Sequence, residues 1–148
     1  MVRVVNGQYN FKTISKELVL VSGPSRSGKS RWAEYLLKNF EEVLYIAPSY
    51  HIDLDSQWLE RIRLHKLRRP KHWQLIESPD DLNNTIYNQN SKVIIIDSLG
   101  GYVTKYLNLD NDDWTLISSK LIDILKGHNS IIVIVIEETG WGVIPPTN

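Results

Sequence analysis

Three short runs of branched apolar residues, Leu18–Val21, Val93–Ile96 and Ile131–Ile136, contain no polar side chain, and a weaker fourth spans Val43–Ala47. A strand with one wet face alternates apolar and polar residues, so an unbroken run needs cover on both faces, as in a parallel sheet packed between helices. Helical patterns separate the runs. Ser30–Phe40 is one, and Asp55–Leu67 is another, with Trp58, Ile62 and His65 or Lys66 at helical spacing. Ser78-Pro79-Asp80-Asp81 places Pro and acids where a helix begins, leading to Ile86. Asp112–Lys126 carries Trp114, Ile117, Leu121, Ile124 and Leu125 on one face, with Gly127 as its stop. Strands alternating with helices predict an α/β domain with a mainly parallel central sheet flanked by helices. Residues 1–17 are expected to form an N-terminal extension and 18–148 the domain.

Composition narrows the chemistry. The 148 residues suit one domain, and the absence of Cys excludes disulfides, thiolate metal sites and cysteine nucleophiles. Lys and Arg total 17, as do Asp and Glu, so the formal charge is zero. A global attraction to nucleic acid or an anionic membrane is not expected; anion binding must be local. No apolar run approaches the ~20 residues of a membrane span, and Met1–Glu17 lacks an apolar leader segment, which predicts a cytoplasmic protein.

One local anion site is explicit. Gly23-Pro24-Ser25-Arg26-Ser27-Gly28-Lys29-Ser30 matches G-x-x-x-x-G-K-[ST] at every fixed position, after an apolar run and before a helical pattern. Chance would supply such a match in a chain of this length roughly once in two hundred, and the strand–loop–helix context lowers that further. The glycines let successive backbone N–H groups face a phosphate, and the following helix adds its positive end. Lys29 is expected to reach the β- and γ-phosphates and Ser30 to ligate Mg²⁺. Asp97 ends the Val93–Ile96 run, where a phosphate-loop protein holds its magnesium, although strand-terminal Asp residues also form ordinary turns.

The stretch Glu60–Trp73 holds six Lys or Arg in fourteen residues. Alone, such a run describes a solvated helix face, and His65 within it would be unremarked. Together with its surroundings it carries a resemblance. The phosphate loop, Leu44-Tyr45-Ile46-Ala47, the element Arg61-Ile62-x-x-His65-x-x-x-Arg69-Pro70-x-x-Trp73 and Glu77 follow one another in order. Ile94-Ile95-Ile96-Asp97-Ser98-Leu99 with Val103-Thr104, then Glu138-Thr139-Gly140-Trp141-Gly142-Val143-Ile144-Pro145, come after. In these residues the chain resembles the bifunctional adenosylcobinamide kinase/adenosylcobinamide-phosphate guanylyltransferase family over roughly residues 18–145.

The resemblance implies a RecA-like P-loop α/β domain, generally a homotrimer, acting on adenosylcobinamide. It implies phosphorylation of the aminopropanol hydroxyl with ATP or GTP, then transfer of GMP from GTP through a GMP-histidine intermediate. The nucleophile falls on His65. Nucleotide contacts fall on the phosphate loop, on Ala47-Pro48-Ser49, on Lys66-Leu67-Arg68-Arg69, on Glu77 and on Asp97. Chemistry agrees: a neutral imidazole, with its ordinary pKa near ~6.5, divides nucleotidyl transfer into two in-line displacements. The cationic Lys66, Arg68 and Arg69 would favour that neutral form and offset phosphate charge. His51, His72 and His128 read as structural or surface residues, Trp73 as a packing anchor, and Trp58 and Trp114 as core.

Three features depart from the family pattern. Members usually carry Asn-Glu where this chain has Glu137-Glu138, so only Glu138 matches. After Asp97 comes Ser98-Leu99-Gly100-Gly101-Tyr102, whose glycine pair weakens a helix. Members also usually continue past the Gly-rich element with an Arg-bearing helix and a final strand, which the domain here is expected to lack. Two other functions fit the residues alone. One is a different small-molecule P-loop kinase, needing Lys29 and Asp97 but not His65; the other is a non-catalytic GTP-binding module.

Overall fold

The apolar runs become the centre of a five-stranded sheet. In the computed structural model, which describes residues 16–48, 63–64 and 66–138, the elements in chain order alternate as expected. They are β1 (Glu17–Gly23), α1 (Lys29–Leu36), β2 (Leu44–Ala47), β3 (Gln74–Glu77), α2 (Leu82–Tyr87), β4 (Val93–Ile96), α3 (Leu99–Lys105), α4 (Asn111–Gly127) and β5 (Ile131–Glu137). The strand order is β1-β5-β4-β2-β3, and every pairing is parallel. Residues 1–15 of the expected N-terminal extension, most of the expected Asp55–Leu67 helix with His51 and Trp58, Ser49, His65 and the Gly-rich tail from Thr139 lie outside the described residues, while Glu17 already belongs to β1.

Alternation along each strand feeds two cores. Val21, Tyr45, Val93, Ile95, Ile131, Val133 and Val135 pack with Ala33 of α1 and its C-cap Leu37 on one face. Leu44, Ile46, Ile94, Ile96, Ile132 and Ile134 pack on the other with Leu82 and Ile86 of α2, Tyr102 of α3, and Leu121 and Leu125 of α4. β4 is fully buried because it has a strand on each side and helices on both faces. β1 differs from the expectation of two covered faces. It is an edge strand whose Val19 and Val21 meet the core while Leu18 and Leu20 remain about two-fifths exposed, because α1 covers only one of its faces.

The helix signals act where the sequence places them. Asp81 caps α2 by accepting from the Asn84 N–H at 3.0 Å; α4 begins at Asn111, one residue before the expected Asp112, and Asp110 caps it by accepting from the Asp113 N–H at 2.9 Å. Asp112 and Asp113 sit in the first turn of α4 and Lys126 in its last, each favourable to the helix dipole. Gly127 is the final helical residue and His128 the cap. His128 is structural: Nδ1 lies 2.9 Å from Ser130 Oγ, and Nε2 lies 3.1 Å from the Ile86 and Gln89 carbonyls. Trp73 is a packing anchor, 7% exposed, its indole N–H donating to the Phe40 carbonyl at 3.4 Å.

Candidate functional site

A parallel sheet delivers the C-terminal ends of all its strands to one edge, which is where α/β folds place their ligands. Across that edge the order is Gly23, Glu137, the Ile96–Asp97 step, Ala47 and Glu77. Every expected contact that ends a strand therefore lies along one line.

The phosphate loop joins β1 to α1. Gly28 caps α1 in the left-handed region at φ 88°, which a residue with a side chain enters only at a cost. Arg26 also has positive φ, 62°. Such alternation turns successive N–H groups inward as an anion-binding nest. Lys29 spans the loop, its ammonium donating to the Pro24 carbonyl at 2.7 Å.

Asp97 ties the loop to the sheet. Its Oδ1 accepts from Ser30 Oγ at 3.0 Å, and its Oδ2 accepts from the Tyr45 hydroxyl. Burial first, then the adjacent Asp97 charge, hold the Tyr45 phenol far above its ordinary pKa against the opposing pull of Arg69. Tyr45 therefore stays a donor and pins the carboxylate. The Ser30 hydroxyl and the Asp97 carboxylate are both hard oxygen donors, the set that suits Mg²⁺ beside nucleotide phosphates. If this pair holds Mg²⁺, Asp97→Asn weakens Mg²⁺ binding roughly ten- to a hundredfold, the cost of removing a charged ligand. A Mg²⁺ titration of the purified variant checks this.

The cationic segment is anchored on the same framework. Arg63, Leu64, Lys66, Leu67 and Arg68 are helical. Arg68 grips Glu34 of α1 with two parallel bonds, Nε to Oε2 at 2.5 Å and Nη2 to Oε1 at 2.8 Å. The Glu34 hydrogen bond holds the Arg68 guanidinium above its ordinary pKa. Arg69 stacks over the Tyr45 ring, 3.8 Å from its centroid. Its Nε and Nη1 are buried and have no acceptor among the described residues. Lys66 pairs with Glu77 at 3.1 Å, both about half exposed, so the pair adds little stability. Arg68→Ala strands Glu34, which is 8% exposed, without its partner. The cost should be ~2 kcal/mol, less than for a fully buried pair because Arg68 is partly solvated, and should lower Tm by about 4–8 °C. Thermal unfolding measures it.

The structure thus joins Ser30, Asp97 and Arg69 through Tyr45, and Lys66 with Glu77. Ala47 and the buried Pro48 lie beside them at the end of β2, and Leu67 is exposed. Ser49 and His65 lie outside the described residues. Sequence reasoning did not single out Tyr45 or Glu34. Tyr45 carried a signal, since it is the sole residue with a polar group in an otherwise apolar run; Glu34 sits one position from buried Ala33 and carried none.

Comparison with known proteins supplies the family. The family model described as cobinamide kinase / cobinamide phosphate guanyltransferase matches residues 19–148. The bifunctional adenosylcobalamin biosynthesis protein CobU of Escherichia coli K12 is 32% identical over 145 residues, covering 86% of this chain and 78% of the relative. CobU of Salmonella typhimurium LT2 is 31% identical over 144 residues, with the same coverage of 86% and 78%. CobP of Pseudomonas aeruginosa is 34% identical over 131 residues, covering 85% of this chain and 74% of the relative. The family's members are bifunctional transferases of cobalamin biosynthesis. With its phosphate loop and Asp97 joined at the sheet edge and its sequence matched over most of its length, the chain belongs to the cobinamide kinase / cobinamide phosphate guanyltransferase family.

Proposed function

We propose that this chain performs both family reactions at one sheet edge, with the phosphate loop and Asp97 serving the kinase step and His65 the guanylyl transfer. In the first step the aminopropanol oxygen of adenosylcobinamide bonds to the γ-phosphorus of ATP or GTP and its hydroxyl proton passes to solvent. The bond to the β-bridging oxygen breaks, and the nucleoside diphosphate leaves with the electron pair. Lys29 and the loop N–H groups hold the phosphates in line. Mg²⁺, held by Ser30 and Asp97, would neutralise charge on the phosphate oxygens. In the second step a His65 ring nitrogen bonds to the α-phosphorus of GTP and pyrophosphate leaves. The phosphate of the corrinoid then displaces the imidazole, giving adenosylcobinamide-GDP and regenerating His65.

The observation that carries this reading is the continuous contact Ser30–Asp97–Tyr45–Arg69. It ties the segment just after position 65 to the phosphate loop, which supports one nucleotide region serving both chemistries. Arg69's two donors that lack an acceptor among the described residues are suited to phosphate oxygens, as is the cationic Lys66. Glu77 and the Ala47–Ser49 turn complete the proposed guanine-nucleotide contacts.

Supplying the protein with adenosylcobinamide and ATP, then with GTP, tests the proposal. Adenosylcobinamide phosphate should form first, and adenosylcobinamide-GDP with pyrophosphate second. The monophosphate alone would indicate a simple kinase, and neither product a binding module. A cytoplasmic location and a homotrimeric assembly belong to the same proposal, and sedimentation equilibrium measures the latter. No helix among the described residues is long and apolar enough to cross a membrane.

A further inference from the structure

Two of the departures from the family pattern meet in space. Glu137 closes β5, the strand lying between β1, which feeds the phosphate loop, and β4, which ends at Asp97. It stands in register with Gly23. Its Oε1 accepts from Ser98 Oγ at 2.6 Å, and Ser98 directly follows Asp97. Its Oε2 is buried with no hydrogen-bond donor among the described residues. That oxygen lies over Gly100, where a Cβ would stand only 2.6 Å away, closer than real Cβ contacts come. The carboxylate at 137 and the bare Cα at 100 therefore fit together, because a side chain at 100 would make the end of the Glu137 side chain move.

A buried acceptor without a donor is destabilising and calls for a reason. Here the same carboxylate that leaves Oε2 without a donor among the described residues makes the 2.6 Å bond to Ser98 through Oε1. Asp97 is held by Ser30 and Tyr45 on its carboxylate side; the Glu137–Ser98 bond holds the residue that follows it. We propose that Glu137 is a positioning residue for Asp97, acting through Ser98, and that Gly100 is kept without a side chain to admit it. The inference rests on the Mg²⁺ role proposed for Asp97. It assigns Glu137 a hydrogen-bonding task, not a charge at the metal.

The test is direct metal binding, with Mn²⁺ as the probe, followed by electron paramagnetic resonance on the protein saturated with a non-hydrolysable GTP analogue. Gly100→Ala and Glu137→Asn should each weaken Mn²⁺ binding about fivefold, the loss expected for one displaced hydrogen bond. Because Gly100→Ala acts only by displacing Glu137, the double variant should bind Mn²⁺ no more weakly than Glu137→Asn alone. Glu137→Gln keeps the acceptor for Ser98 and should bind within about twofold of the parent. Ser98→Ala cuts the same link and supplies the readout if Gly100→Ala folds poorly. Additive losses in the double variant, or parental affinity in Glu137→Asn and Ser98→Ala while Asp97→Asn binds poorly, overturn this inference alone. Parental affinity in Asp97→Asn overturns it together with the magnesium reading.

Discussion

Lys29→Ala should abolish the kinase step and weaken nucleotide binding while leaving the fold intact. The lysine closes the phosphate loop, and in the described structure its ammonium bonds to the Pro24 carbonyl at 2.7 Å, a contact within the loop and not with the core. Its removal costs little stability, since neither buried cluster includes it. Its loss at the β- and γ-phosphates is different. A charge-assisted hydrogen bond lost from the ground state lowers affinity roughly ten- to a hundredfold. A donor lost where charge develops lowers the phosphoryl-transfer rate by a further ~10²–10³-fold. Calorimetry with GTP and a single-turnover kinase assay separate the two effects. Parental GTP affinity in this variant would sink the assignment of the loop. The same variant should also form less of the GMP adduct, through occupancy alone, and saturating GTP should restore much of that.

The parts of the fold legible in the sequence are those governed by local rules. Continuous apolar runs marked β1, β2, β4 and β5, and Ser78-Pro79-Asp80-Asp81 marked the start of α2. β3 was invisible because Gln74-Leu75-Ile76-Glu77 is an edge strand, paired among the described residues to β2 alone and largely exposed, so no apolar run marks it. α3 forms despite Gly100-Gly101, each costing about 1 kcal/mol relative to Ala in a helix. What offsets that cost is tertiary: Tyr102 is buried, edge-on to Tyr106 at 5.0 Å and 6.3 Å from Trp114. Sequence spacing could not supply those contacts. The site divides similarly. The phosphate loop and Asp97 were legible as motif and strand end. The Glu34–Arg68 pair and the Tyr45 bridge join residues 34 and 52 positions apart in the chain, and only the fold brings them together.

His65→Asn should remove guanylyl transfer and spare phosphorylation. Incubation with GTP labelled at the α-phosphate should leave one GMP per active chain, as an acid-labile, alkali-stable phosphoramidate. The variant should carry no label, and the transfer rate should fall on the order of 10⁶-fold, the scale seen when a covalent nucleophile is deleted. Nucleotide binding should persist, because the nest from Gly23 to Ser30 is built by β1 and α1 and owes nothing to position 65. The anchors that follow position 65 should persist too. Arg68 is held by Glu34 and Arg69 by the Tyr45 ring, so the exchange of one ring for an amide leaves the segment's attachment unaltered. Kinase turnover should stay within about twofold of the parent, since that step needs phosphate positioning and charge neutralisation and no histidine nucleophile. The contrast with Lys29→Ala is the discriminating feature: one variant loses the first reaction, the other only the second. Label surviving in His65→Asn would place the nucleophile on another residue. A loss of both reactions with GTP affinity retained would instead mean that position 65 contributes to the acceptor site shared by the two steps.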